Sequence, residues 1–202
     1  MRNVLTVAAA LLVALSTAPM GAAAPLYPCF RAEAPPAIDG AGTDPCWRSA
    51  PLATGFSILG NGFADEKQTA FGLCWDDAAL YFLVDCEEPD AGQLKTDVRD
   101  GGPAWLNDGV EIFIQPDRSG QVYQLIVTAG GARASGAGSG DWRKVEAAVA
   151  IAEASYTLEI AIPHDLVRAQ PQVGSSWSAA VCRNIWTTAS GGWRPARTTT
   201  SP

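Results

Sequence analysis

Short runs in which apolar and polar residues alternate dominate the chain after Pro36, and glycine, proline, asparagine and aspartate separate them. Alternation with a period of two is typical of half-buried β-strands, and turn-forming residues between such runs favour antiparallel pairing. Helical periodicity is almost absent. The pattern is carried by residues 68–75, 80–86, 109–115, 121–129, 145–151, 156–162 and 178–186. The sequence therefore predicts an all-β fold, a jelly-roll-like antiparallel β-sandwich in one domain.

The first 23 residues have the composition of a secretory signal peptide. Arg2 gives a basic start, residues 4–15 form a continuous apolar run, and small residues precede Pro25. We expect cleavage after Ala23, which makes residues 24–202 a secreted or periplasmic protein. The apolar run is too short to cross a bilayer, and no later segment is longer, so we expect no membrane anchor.

Export changes the interpretation of the five cysteines, at positions 29, 46, 74, 86 and 182. In an oxidising compartment they are expected to form disulfides, and no Cys-x-x-Cys spacing suggests zinc. Cys29 and Cys46, which bracket the N-terminal segment, are the favoured pair. A tight hairpin turn at residues 76–79 would put Cys74 opposite Tyr81 and about 17 Å from Cys86, too far for a bridge. Either of those two thiols could then pair with Cys182.

Composition excludes several functional classes. Lysine and arginine total 14 against 21 aspartates and glutamates, a net charge of −7, so no basic surface is available for nucleic acid. His164 is the only histidine, so it is the one base available to a histidine-based nucleophile triad, and it cannot by itself supply a zinc site with several histidines. We expect it to be exposed, directly after Pro163. The only methionines, Met1 and Met20, precede the cleavage site, so haem lacks axial ligands. These absences argue against an enzyme.

Four carboxylates lie close together in sequence, at Asp97, Asp100, Asp108 and Glu111. They are compatible with a solvated acidic loop, with a structural calcium site, or with the acid–base pair of a small glycoside hydrolase formed by Asp108 and Glu111. Glu111 differs from the others because it interrupts an apolar strand, where a carboxylate is costly to bury unless it is hydrogen-bonded.

Two of the seven tryptophans lie in loops rather than in apolar strand patterns. Trp105 follows Gly-Gly-Pro-Ala, and Trp193 follows Ser-Gly-Gly. A loop indole can cover the core, or it can stack on the C–H face of a pyranose ring while nearby carboxylates bond the sugar hydroxyls. The local pattern leaves both open. Trp47, Trp75 and Trp177, within or beside strand patterns, are predicted to pack in the core.

A series of short motifs runs in order across nearly the whole mature chain. They are Ile38-Asp39-Gly40 with Asp44 and Trp47; Trp75-Asp76-Asp77 then Leu80-Tyr81; Glu88-Pro89; Trp105-x-x-Asp108-x-Val110-Glu111-Ile112-Phe113; Tyr123-Gln124; Leu158-Glu159-Ile160-Ala161-Ile162-Pro163; Trp177; Arg183; and Trp193. With these motifs the chain resembles the carbohydrate-binding modules of family 9.

That resemblance implies a β-sandwich that holds a terminal glucose-type unit between two tryptophans, with structural calcium ions. By motif position the tryptophans correspond to Trp105 and Trp193, and the hydroxyl-binding glutamate corresponds to Glu111. The chain departs from the family at Ile126, where sugar-binding members have a basic residue. Only residues 194–202 follow the second tryptophan, where the family continues with another strand.

We therefore expect a non-catalytic, monomeric protein that binds a mono- or oligosaccharide or a polysaccharide end. The expected ligand-binding residues are Trp105, Asp108, Glu111 and Trp193, and Asp97 and Asp100 are the candidates for a structural Ca²⁺. The alternative is a structural or interaction β-sandwich that has lost the sugar site, which Ile126 and the short C-terminal segment favour.

Overall fold

The computed structural model describes residues 26–59, 62–116, 120–136 and 140–187 in full, and the backbone of Arg194–Thr198. The predicted signal peptide, residues 1–23, lies outside the described residues. The strands are β1 (Phe30–Arg31), β2 (Ser57–Ile58), β3 (Thr69–Trp75), β4 (Ala79–Glu87), β5 (Gly109–Gln115), β6 (Tyr123–Thr128), β7 (Arg133–Ser135), β8 (Glu146–Ile151), β9 (Ser155–Pro163), β10 (Ser178–Ile185) and β11 (Arg194–Thr198). The helix α1 is Pro45–Ser49, and 3₁₀ turns cover Ala91–Gln93, Ala104–Leu106 and Trp142–Lys144. None of the helices in this part of the chain is long and apolar enough to cross a membrane.

The strands form two sheets. The first has the order β1-β3-β4-β9-β8 and the second β2-β11-β10-β5-β6-β7. β1 pairs parallel to β3, and every other pairing is antiparallel. The β-sandwich is confirmed, and each of the seven predicted strands is present. The strands that were not predicted (β1, β2, β7 and β11) are two to five residues long, too short to show an alternating pattern.

The core lies between the sheets and is built by the predicted alternation. Phe71 and Leu73 on β3, Phe82 on β4, and Ile112 on β5 are buried in it. The β3–β4 hairpin pairs Cys74 with Tyr81, as expected from the tight turn.

The N-terminal segment is fixed to the outer face of the first sheet by a buried carboxylate. Glu159 on β9 accepts hydrogen bonds from the Trp47 indole (2.7 Å) and from the backbone N–H groups of Asp39 (3.1 Å) and Gly40 (2.7 Å). Gly40 has a φ of +84°, and a Cβ there would lie 2.8 Å from the Ala150 nitrogen, so only glycine fits. Trp47 is buried as predicted.

The two sheets are joined by Arg183, which points inward from β10. Its partners are the carbonyl oxygens of Lys67 (3.2 Å), Gln68 (3.2 Å) and Glu87 (2.8 Å), the Thr69 hydroxyl (3.2 Å) and the Glu88 carboxylate (3.2 Å). Glu88 is fully buried and also accepts a hydrogen bond from the Lys67 ammonium group. The guanidinium therefore satisfies buried acceptors of the first sheet from a strand of the second.

The predicted pairing of Cys29 with Cys46 is wrong, because the first sheet separates these two residues. No cysteine is bonded to another in the structure. Cys29 packs against the core between the sheets, whereas Cys46 packs on the outer side of the first sheet, in the cluster that contains Cys74. Cys86 is buried in the core, and Cys182 lies in register with Glu111 on β5.

His164 is buried rather than exposed. Its Nε2 lies 2.8 Å from the Asp76 carbonyl oxygen, and its ring meets Trp177 edge-on at 6.5 Å between centroids. The turn after Pro163 places the His164 ring against the end of the β3–β4 hairpin. The position of His164 after a proline did not indicate this burial.

Candidate functional site

Glu111 lies in the middle of the second sheet, on its outer face. Val110 and Ile112 on either side of it enter the core, so the alternation of β5 directs Glu111 away from the core. Its register partners are Ile126 on β6 and Cys182 on β10. Only 8% of Glu111 is exposed, so the carboxylate is nearly desolvated at a surface position.

Two amide side chains hold the Glu111 carboxylate. Gln124 Nε2 donates to one oxygen (2.7 Å) and Asn184 Nδ2 donates to the other (2.8 Å). The amides come from β6 and β10, the strands on either side of β5. Each carboxylate oxygen keeps a lone pair for a further donor, such as a hydroxyl group. Sequence analysis assigned no role to either amide. Each is a polar residue at an outward position of its strand, and that pattern could have indicated them.

Trp105 is half exposed, at 52%, within the 3₁₀ turn Ala104–Leu106. Ala104 anchors this turn by packing against Ile126 and Ala134 on the outer face of the second sheet. Because Ile126 is the β6 partner of Glu111, the turn sits on the strand next to the carboxylate. Ile126 is only 2% exposed, so the position where sugar-binding relatives have a basic residue is covered here.

Trp186 braces the turn from the end of β10. Its indole nitrogen donates to the Trp105 carbonyl oxygen (2.9 Å), and the Lys95 ammonium group lies 4.3 Å from the centre of its ring. Lys95 also donates to the Leu106 carbonyl oxygen (2.7 Å). The carbonyl groups of Trp105 and of the residue that follows it are therefore both fixed by hydrogen bonds.

Asp108 is completely buried and bonded to the protein on both oxygens. One oxygen accepts the backbone N–H groups of Trp186 (2.7 Å) and Thr187 (3.2 Å), and the other accepts the Lys95 N–H (2.8 Å) and the Thr187 hydroxyl (2.7 Å). It joins the loop before β5 to the chain after β10. Asp108 thus positions the turn of Trp105 and is not exposed to a ligand.

Asp97 and Asp100, the candidates for a structural Ca²⁺, both accept hydrogen bonds from other side chains. Asp97 accepts the Asn107 amide at 2.6 Å, and both oxygens of Asp100 are bonded by Arg133. The hydrogen bonds from Arg133 hold the pKa of Asp100 below its ordinary value. Within the residues that the structure describes, no three His, Cys, Asp or Glu side chains are arranged to hold a metal ion.

Trp193 lies outside the described residues. The strand that follows it, β11, begins at Arg194, which pairs with Ile185. Ile185 directly precedes Trp186, so the chain on the C-terminal side of Trp193 is at the Trp105 end of the second sheet.

A crevice of about 1100 Å³ opens between the sheets at the other end of β5. The residues that line it include Leu73, Trp75 and Trp177. Arg31 is the one charged residue in this lining, and it is ion-paired with Asp77. No carboxylate is among the residues that line this crevice, whereas Glu111 places one between two amides on the outer face of the second sheet.

Residues 38–197 match the family described as carbohydrate family 9 binding domain-like, which is most of the 202-residue chain. The chain belongs to that family. No curated protein matches it.

Two solved structures of family 9 modules share the fold of this family 9-like domain. One is a module from Caldicellulosiruptor kristjanssonii in complex with glucose, with 20% identity, coverage of 85% of this chain and 84% of that one, and a TM-score of 0.66. The other is a module from the same organism in complex with cellotriose, with 20% identity, coverage of 85% and 83%, and a TM-score of 0.65.

The family motifs of this family 9-like domain serve two different purposes. The N-terminal motif and Glu159 attach the entry segment to the first sheet, and Glu88 and Arg183 join the two sheets. By contrast, Trp105 and Glu111 face outward on the second sheet, where a ligand could reach them.

Proposed function

We propose that this domain is a non-catalytic module that binds the end of a saccharide on the outer face of the second sheet. The sugar ring stacks on Trp105, and its hydroxyls donate to Glu111. The observation that carries the proposal is Glu111 itself, a nearly buried carboxylate held by two amides beside an exposed indole. Family membership and the glucose and cellotriose bound by the two similar modules support the same ligand class.

The absence of catalysis follows from the roles of the two carboxylates. A glycoside hydrolase needs a pair of carboxyl groups on opposite sides of the scissile bond. Asp108, the nearest candidate partner for Glu111, is buried and bonded on both oxygens by backbone and hydroxyl groups. It therefore has no free oxygen with which to approach a substrate.

Trp193 supplies the second ring of the proposed site. This role rests on the family resemblance, and it is supported by the start of β11 at Arg194, which pairs with Ile185 next to Trp186. One stacked ring contributes about 1 kcal/mol. Micromolar binding needs about 8 kcal/mol, so several hydrogen bonds to hydroxyls must add to the stacking. Glu111, Gln124 and Asn184 provide them.

We also propose that the protein is exported, on the evidence of the basic, apolar and small-residue segments at its N-terminus.

The site is tested by substituting Trp105 and titrating with glucose, cellobiose and xylobiose in a calorimeter. Trp105→Ala should weaken binding about fivefold or more, since it removes the stacking surface. The matched control is Phe30→Ala, which removes a similarly exposed ring (51%) from the first sheet and should leave affinity unchanged. Equal affinity of the wild type and Trp105→Ala for every sugar bound would contradict this site.

One observation favours the alternative of an interaction domain without sugar affinity. Ile126 replaces the basic residue of sugar-binding relatives and is buried under the Ala104 turn, so it offers no donor to a hydroxyl. If the wild-type protein bound none of the three sugars and no member of a broad glycan array, this alternative would replace the proposed function.

A further inference from the structure

Cys46 and Cys74 lie together on the outer side of the first sheet. Cys46 is the second residue of α1, and Cys74 is on β3 opposite Tyr81. Both belong to the apolar cluster that α1 forms with this face, which also contains Trp47 and Leu83. The helix and the strand thus bring together two thiols that are 28 positions apart in the sequence.

The side chains of the two cysteines pack in the same apolar cluster. Burial raises the pKa of both Cys46 and Cys74, and a hydrogen bond between the two side chains also acts on each of them. Cys74 is only 2% exposed, so a disulfide there would be shielded from solvent.

The remaining cysteines are directed elsewhere. Cys29 precedes Phe30, the β1 partner of Cys74, and packs against the core on the other side of the sheet. Cys86 is buried in the core, and Cys182 lies next to Glu111 on the second sheet. Cys46 is therefore the thiol placed to react with Cys74.

We propose that Cys46 and Cys74 form a disulfide that fastens α1 to the first sheet. This inference depends on the proposed export, because a disulfide persists only in an oxidising compartment. Burial keeps both thiols protonated in the folded domain, so the bond forms during folding, while they are still accessible.

The reaction is an exchange with the disulfide of a thiol–disulfide oxidoreductase. One cysteine thiolate attacks the enzyme's disulfide and forms a mixed disulfide, and the second thiolate displaces the enzyme's sulfur. The protein loses two electrons and two protons and gains one S–S bond. The enzyme's disulfide takes up the two electrons and becomes a dithiol.

The bond is tested by peptide mapping of the full chain expressed with its N-terminal segment and recovered from the periplasm or medium. Free thiols are alkylated without reduction, and the protein is digested with trypsin and a protease that cleaves before aspartate. These cuts put Cys46 on fragment 44–48, and Cys74 on fragment 68–75, apart from Cys86. We expect the two fragments to be linked. Alkylated Cys46 and Cys74, or a link from Cys74 to Cys29, would overturn the proposal, whereas recovery of uncleaved protein from the cytoplasm would contradict the export step.

Melting temperatures give an independent test. Adding a reductant should lower the melting temperature of the wild type by about 5–15 °C, since it reopens a loop of about 30 residues. Cys29→Ser is the matched control and should show the same drop, whereas Cys46→Ser should not respond to reductant. A wild type that does not respond would contradict the bond. Sugar affinity is measured in parallel: the pair lies on the opposite sheet, so Cys46→Ser should bind as the wild type does.

Discussion

At the scale of single residues, the two carboxylates at the start of β5 differ in what surrounds them. Among the described residues, Glu111 accepts hydrogen bonds from two side-chain amides, which can rotate and present their oxygens instead. Asp108 accepts three backbone N–H groups, whose positions are fixed by the chain. Removing the carboxylate charge should therefore lower sugar affinity at Glu111 and the stability of the fold at Asp108.

We predict that Glu111→Gln weakens sugar affinity about tenfold while costing about 1 kcal/mol of unfolding free energy. Gln124 and Asn184 can reorient around the new amide, but the sugar loses a charged acceptor, and hydrogen bonds to charged groups are the stronger ones. Calorimetric titration gives the affinity, and urea unfolding gives the stability.

Asp108→Asn is the reciprocal control for that prediction. An amide group there must direct its N–H₂ toward a backbone N–H, which leaves a buried donor unpaired and costs about 2–3 kcal/mol. A Glu111→Gln variant that binds like the wild type, or an Asp108→Asn variant of full stability, would reverse these two roles.

At the scale of elements, the β3–β4 hairpin is closed by Asp76. One carboxylate oxygen accepts the N–H groups of Ala78 (2.7 Å) and Ala79 (3.0 Å), and the other accepts the Tyr81 hydroxyl (2.9 Å). Partial burial raises the pKa of Asp76, but these hydrogen bonds outweigh it, so the pKa lies below its ordinary value. The ionised form thus stabilises the fold, and this contribution is present above the unfolded-state pKa of about 3.9 and is lost as the pH falls through the folded-state value.

We predict that Asp76→Ala lowers the unfolding free energy by about 1–2 kcal/mol at pH 7, and that this deficit shrinks as the pH falls below about 4. Urea unfolding at pH 7, 5 and 3 measures it. Asp77→Ala is the control, since the Asp77 carboxylate only pairs with Arg31 at the surface and such pairs contribute little. A deficit for Asp76→Ala that stays the same at all three pH values would show that the charge has no part in closing the turn.

The hairpin also shows which elements sequence could predict. The register of Cys74 with Tyr81 follows from a local turn and from alternation, and both are visible in the sequence. The place of β10 between β5 and β11 is not local, because β5 and β10 are separated by more than 60 residues. Alternation indicates that Asn184 points outward, but it does not indicate which strand lies beside β10. The hydrogen bond from Asn184 to Glu111 could therefore not be predicted. For the same reason, the sequence set Glu111 apart but did not show that Asp108 is bonded to the backbone of Trp186 and Thr187.

At the scale of the whole molecule, the proposed sugar-binding face and the connection between the sheets share one strand, β10. On β10, Asn184 faces Glu111 on the outside, and Arg183 faces the first sheet on the inside. Consecutive residues on a strand point to opposite faces. The position of the Asn184 amide is therefore tied to the buried ion pair of Arg183 with Glu88. A rigid sandwich beneath β10 fixes the outward groups before a ligand arrives, which reduces the ordering cost of binding.

We predict that Arg183→Met lowers the unfolding free energy by about 3–5 kcal/mol and the melting temperature by about 6–20 °C, as measured by calorimetry. Methionine fills much of the volume but leaves the carbonyl oxygens of Gln68 and Glu87 without the guanidinium. Among the described residues, Lys67 is then the one cation that still pairs with Glu88. Adding Glu88→Gln to Arg183→Met should recover part of the loss, because the second change removes a buried carboxylate that has lost a counter-charge. Equal melting temperatures for the wild type and Arg183→Met would mean that apolar packing holds the sheets together without this bridge.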